Sequence, residues 1–360
     1  MRIIVSVTNN LVTDQRVARV CESLHGWGFD VLLVGRHWPA ESLEERPYPC
    51  RRLKLLFKKN FLFYAEYNLR LFFFLLFHRA DILISNDLDT LPANYLAAKL
   101  KRARLFFDSH EYFSETPEVY QRAFVRKFWL IIERLCVGGC NVHYTVSQSL
   151  ANIYMSKYRL HFHVIRNVPN LYGVTEIPAG ETPMILYQGS INIGRGLELM
   201  IEAMPYIPQA KLVIAGDGPE LGKLKTLAGK LPVNGKVEFI GKIPPDQLRG
   251  LTMKASVGIS IEESMGASYM SALPNKLFDY IAAQVPVLVS DLPEMRAIVD
   301  NYGVGMVLDE RTPQRLASLA NLMITDAARR SGWKDNLREA ARELCWENES
   351  LKLKTLLDKV

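Results

Sequence analysis

Two cations stand in settings that could bind an anion. Arg195 follows Gly189-Ser190, a turn that closes an apolar run, and Lys276 follows Pro274 at the head of an amphipathic segment. Glycine lets backbone approach a ligand closely. A guanidinium can grip a phosphate through two parallel hydrogen bonds. Proline favours the first turn of a helix, where the N–H groups of Asn275, Lys276 and Leu277 would be open to an anion. Together these groups suit a phosphate-bearing anion. A second polar group, Asp108-Ser109-His110-Glu111, closes another apolar run. Five cysteines, Cys21, Cys50, Cys136, Cys140 and Cys345, show no zinc-type spacing and read as reduced thiols.

The elements that must position these residues alternate in type. Apolar runs at 3–7, 31–34, 81–85, 104–107 and 143–146 read as strands, and 14–27, 91–101 and 124–137 as helices between them. Residues 172–183 hold Gly, Thr and Pro without apolar periodicity, which marks a linker. The alternation resumes with strands at 184–187, 211–215, 237–240, 256–261 and 285–290. Repeated strand–helix units imply parallel sheets covered on both faces. The expectation is therefore an α/β chain of two Rossmann-like doubly wound domains facing a central cleft, with ligand at the carboxyl ends of the strands. The boundaries expected are 1–170, a linker at 171–183, a donor-binding domain at 184–335, and a helical segment at 336–360 returning to the first domain.

The order of ILYQGSINIGRGLELMIEAM, LVIAGDGPE, VEFIGKI, PNKLFDYIAAQVPVLVSDLPE and NYGVGMVL after Pro183 resembles the donor-binding domain of retaining glycosyltransferases of the glycosyltransferase family 4 type, which have the GT-B fold. RVARVCESLHGWGFDVLLVGR, SNDLDTLPA and FFDSHEYF resemble the first half of that family more loosely. The resemblance implies a nucleotide-sugar donor, UDP- or GDP-linked, held near Gly189, Ser190, Gly216, Asn275 and Leu277, with Arg195 and Lys276 on the diphosphate. It implies that His110 hydrogen-bonds the donor sugar and that the loop holding Asn9, Asn10, Asp14 and Arg16 lies on the acceptor side. Asp14 has an equal claim as the cap of the helix after it. Family members carry two glutamates, separated by seven other residues, before a Pro-Val strand. Here the second position is Asp279, and the first falls on Ser271. Glu262 and Glu263 lie upstream as candidates for the missing carboxylate, and Glu263 is taken as the donor-side residue. Asp87-Leu88-Asp89 matches a metal-holding string of a different glycosyltransferase fold. It is expected to line the cleft or cap the following helix, and no metal or other cofactor is expected.

Charge is uneven. Residues 1–170 hold 23 Lys+Arg against 15 Asp+Glu, which leaves 21 against 23 in the remainder. The excess in the first half points to an anionic partner. Arg51, Arg52, Lys54, Lys58 and Lys59 run into the aromatic stretch 61–77, which reads either as a core helix or as a membrane-facing one. It holds Glu66, Asn68 and Arg70 and is too short and charged to span a bilayer. The expected partners are thus a glycan or lipid-linked acceptor and an anionic membrane surface touched peripherally. No nucleic-acid module is visible. The expected location is the cytoplasm, with contact at the inner face of the plasma membrane. A nucleotide-sugar epimerase and a non-enzymatic nucleotide-sugar binder remain alternatives, whereas a dinucleotide oxidoreductase lacks its G-x-G-x-x-G.

Overall fold

A computed structural model describes residues 1–38, 45–174, 182–233 and 235–359. Most of the expected linker, 175–181, lies outside the described residues. The chain divides into two compact units, Met1–Asn167 with Ser350–Val360, and Val168–Glu349. The C-terminal segment is thus shared. The helix Trp346–Asp358 begins in the second unit, where Trp346 N–H donates to Pro169 O at 2.8 Å, and ends in the first.

Among the described residues the first unit holds seven strands: β1 (Arg2–Ser6), β2 (Asp30–Arg36), β3 (Cys50–Leu53), β4 (Ile82–Asn86), β5 (Arg104–Ser109), β6 (Val142–Thr145) and β7 (His163–Val164). All pair in parallel, in the order β3-β2-β1-β4-β5-β6-β7. The second unit holds β8 (Met184–Gln188), β9 (Lys211–Ala215), β10 (Val237–Gly241), β11 (Val257–Ser260), β12 (Val287–Ser290) and β13 (Gly305–Leu308). These are also parallel, in the order β10-β9-β8-β11-β12-β13. Both are doubly wound Rossmann-like sheets, one in each unit, as the sequence leads one to expect. The strand order reverses between β1 and β4 in one sheet and between β8 and β11 in the other. In such sheets the loops at the carboxyl ends of those strands diverge and leave room for a ligand.

Central strands are buried on both faces, as parallel sheets require: Ile3, Ile4 and Val5 in β1, and Ile185, Leu186 and Tyr187 in β8, are fully buried. Tyr280 fixes the second reversal point. Its hydroxyl donates to Leu186 O at 3.0 Å, lies 3.3 Å from Ile259 O, and accepts Gln188 N–H at 3.1 Å. Its ring fills the space over Gly258, where an added Cβ would fall 2.3 Å from it.

The helix Asn60–Phe77 reconciles the two readings of the aromatic stretch. Phe63, Tyr67, Leu71 and Leu75, spaced by four, face the core, while Phe61, Leu62, Leu69, Phe73 and Phe77 are exposed. No described helix is long and apolar enough to cross a membrane.

Candidate functional site

The loops after β8 and β11 start at the second reversal point and bring together the residues expected to meet a diphosphate. Lys276 stands in the first turn of the helix Asn275–Ala282, yet it is no surface charge, being 8% exposed. Its Nζ donates to Glu262 Oε1 at 2.7 Å and lies 4.2 Å from the centre of the Tyr187 ring. Arg195 NH1 approaches the same Glu262 oxygen at 3.5 Å, with its guanidinium over Tyr269. Two cations therefore converge on one buried carboxylate. Burial alone would raise the Glu262 pKa, but Lys276 and Arg195, with a hydrogen bond from Ser260, outweigh it and hold it below the usual range.

This geometry corrects the sequence reading in several places. Glu262, not Glu263, is the carboxylate beside the cations; Glu263 is half-exposed and lies 3.8 Å from Arg311. A signal did exist, since Glu262 is among the first residues past β11 at a reversal point. Gly189 (φ 128°) does adopt glycine-only backbone, but its N–H donates to Ala215 O at 3.0 Å. That N–H is thus committed to the neighbouring strand. Gly216 is a packing residue, because a Cβ there would fall 1.8 Å from Gly189 O. Leu277 is fully buried and its N–H is bonded to Pro274 O at 3.1 Å, so it faces the core and not a ligand. Asn275 is exposed beside Lys276. Asp279 is half-buried, and its carboxylate accepts Gln188 Nε2 at 3.0 Å. Ser190 is exposed, and its carbonyl accepts the Tyr187 hydroxyl at 2.7 Å. Arg311, which carries no sequence signal, donates to the main-chain oxygens of Ile261 and Glu262.

In the first unit the ends of β1, β4 and β5 assemble a separate polar cluster. His110 Nδ1 lies 3.2 Å from Asp87 Oδ2, and its Nε2 lies 3.0 Å from Asp108 Oδ2, off the line of a hydrogen bond. Burial would lower the His110 pKa, but Asp108 and Asp87 outweigh it and raise it well above the ordinary value. The imidazolium, a donor and not a base, is the favoured form. Both ring nitrogens face carboxylates, so contact with a sugar would require one to be released. Asp87, in left-handed backbone, also accepts His110 N–H at 2.8 Å. Asp89 is buried, accepts the Thr8 hydroxyl, and is pushed up to about 8 by burial and by Asp87.

Arg16 is not in the acceptor-side loop. It lies in the helix Gln15–Gly26, is 2% exposed, and grips Asp108 with two hydrogen bonds of 2.8 and 3.0 Å. Asp14 caps that helix by accepting Val17 N–H at 3.0 Å, and also accepts Asn9 Nδ2 at 2.9 Å. Asn10 accepts Val12 N–H at 3.1 Å. The loop is thus tied by its own side chains.

Residues 14–171 match the family described as Glycosyltransferase Family 4, and residues 176–340 match Glycosyl transferases group 1. The chain belongs to these glycosyltransferases. An uncharacterized glycosyltransferase of Methanocaldococcus jannaschii is 30% identical over 171 residues, covering 46% of this chain and 42% of that protein. The chain thus matches about two fifths of the length of such a curated relative. Sucrose-phosphate synthase from Thermosynechococcus elongatus superposes with a TM-score of 0.83 at 17% identity, covering 100% of this chain and 98% of the other. Anabaena HepE in complex with UDP-glucose gives 0.80 at 14%, covering 100% of both chains. At those identities the likeness is one of fold, and it spans both glycosyltransferase units.

Proposed function

We propose that the chain is a retaining, metal-independent glycosyltransferase that moves a sugar from a UDP- or GDP-sugar to a lipid-linked or polysaccharide acceptor. The observation that carries the reading is the convergence of Lys276 and Arg195 at the reversal point of the second sheet. In the reaction the bond from the anomeric carbon to the diphosphate oxygen breaks, and the acceptor oxygen bonds to that carbon on the same face. The acceptor's proton passes to the departing phosphate. Lys276 and Arg195 stabilise the charge that builds on the diphosphate, the work a metal ion does elsewhere. Incubation with UDP- and GDP-sugars should release nucleoside diphosphate in excess chelator. Complete loss of release, restored by manganese or magnesium, would overturn metal independence, and release from neither donor class would overturn the reading.

The first unit supports an acceptor met at a cytoplasmic membrane face. A cavity of ≈ 740 Å³ is lined by Arg51, Arg52, Lys54 and Arg70 together with Phe73 and Phe77. Phe61, Leu62 and Leu69 stand exposed on the same helix as Phe73 and Phe77. Cations beside exposed aromatics suit an anionic bilayer surface. Each such cation contributes about 1 kcal/mol near the surface, screened by salt. Co-sedimentation with phosphatidylglycerol vesicles should fall as salt rises. It should fall further on Arg51→Glu/Lys54→Glu than on Lys223→Glu/Lys225→Glu; equal loss would reject this face.

A further inference from the structure

Glu262 is held more firmly than a residue waiting for a sugar requires. Its carboxylate accepts Lys276 Nζ on Oε1 and the Ser260 hydroxyl on Oε2, at 2.7 and 2.8 Å. Its main-chain oxygen accepts the Ser290 hydroxyl at 2.6 Å and Arg311 NH1 at 3.1 Å. The side chain is fully buried, and Arg195 approaches the same Oε1 that Lys276 binds. Lys276 and Arg195 are themselves mostly buried, and buried cations without an anion are costly.

We infer that Glu262 is an internal counter-ion that occupies the place of a phosphate on Lys276 and Arg195 when the site is empty, and so weakens the chain's hold on the nucleoside diphosphate. The inference rests on the reading of this loop pair as the donor site. With Glu262 in place, an incoming diphosphate meets two cations already shared with a carboxylate. Binding must draw Lys276 and Arg195 partly away from it, and the carboxylate recovers them as the diphosphate leaves. Glu262 thereby favours release of the product. A carboxylate whose role is to contact the sugar behaves differently: its loss weakens nucleotide-sugar binding and leaves the free diphosphate unaffected.

The test is calorimetry and thermal shift with UDP, GDP, ADP and inorganic pyrophosphate on the wild type and Glu262→Gln. The variant should melt lower without ligand. It should bind the diphosphate preferred by the wild type about tenfold more tightly, the scale of one charge-assisted hydrogen bond, with a larger thermal gain on binding. Unchanged or weaker diphosphate affinity in a folded variant overturns the inference and leaves the donor site standing. Binding of none of the four probes by either protein overturns both. Should Glu262→Gln not fold, Ser260→Ala loosens the carboxylate from its Oε2 side only. It should tighten diphosphate binding about twofold or more, within the range of a neutral hydrogen bond, and no tightening overturns the inference.

Discussion

Lys276→Met is expected to lower the stability of the second unit by about 3 kcal/mol and to weaken nucleoside diphosphate binding by roughly 10- to 100-fold. Removing one partner of a buried ion pair leaves the other charge in a place water cannot reach, which typically costs 3–5 kcal/mol. The lower end applies because Arg195 remains 3.5 Å from the Glu262 carboxylate. The pH dependence should change with it. Glu262 has a lowered folded pKa, so its contribution to stability is present above its unfolded value of about 4.3 and is lost as pH falls through the folded value. Without Lys276 the folded value rises towards the unfolded one, and the acid-side slope should shrink. Urea unfolding followed by Trp fluorescence at several pH values measures the first effect, and calorimetry the second. A variant with the wild-type urea midpoint and wild-type affinity would show that the Lys276–Glu262 pair is neither structural nor ligand-binding.

Arg16→Met should be at least as damaging to the first unit, at about 3–5 kcal/mol. Asp108 is fully buried, and Arg16 gives it two charge-assisted hydrogen bonds while also donating to Ile165 O at 3.0 Å, which leaves only the less well aligned His110, 3.0 Å away, beside the carboxylate when Arg16 is removed. Arg16→Met/Asp108→Asn should recover a good part of the loss, because the stranded charge is removed with its partner. A double variant no more stable than the single one would refute the coupling. Asp108→Asn alone carries a second readout. His110 has a raised folded pKa, so its contribution is complete below its unfolded value of about 6.5 and is lost as pH rises through the folded value. With Asp108 neutral the folded value falls, so that loss should be smaller and should finish at lower pH, visible as a shallower alkaline decline in melting temperature.

The fold was legible because most strands are short apolar runs followed by a polar turn, the pattern that parallel burial imposes. β3 was not. Cys50-Arg51-Arg52-Leu53 is an edge strand, only partly buried, and its two arginines read as a charge cluster. The helix Asn60–Phe77 is apolar on nearly every side, so its buried row at Phe63, Tyr67, Leu71 and Leu75 is camouflaged by phenylalanines that face outward. In the site, Arg195 and Lys276 were legible as cations in anion-binding settings. Their partner was not settled, because Val257–Ser260 is buried throughout and gives no alternation to say which of the two following glutamates points inward. Arg16 and Asp108 lie 92 residues apart, and no local pattern in a single sequence announces such a pair.

The ring of Tyr280 over Gly258 has an evolutionary consequence. The loops that carry Gly189 and Glu262 leave two neighbouring strands whose spacing is set by one phenol clamped between them. A substitution at 258 adds bulk where that ring lies, and a substitution at 280 removes the bridge between the strands. Neither position can drift alone without passing through a poorly folded intermediate. The two positions therefore behave as one unit, and a change at either is tolerated only with a compensating change at the other.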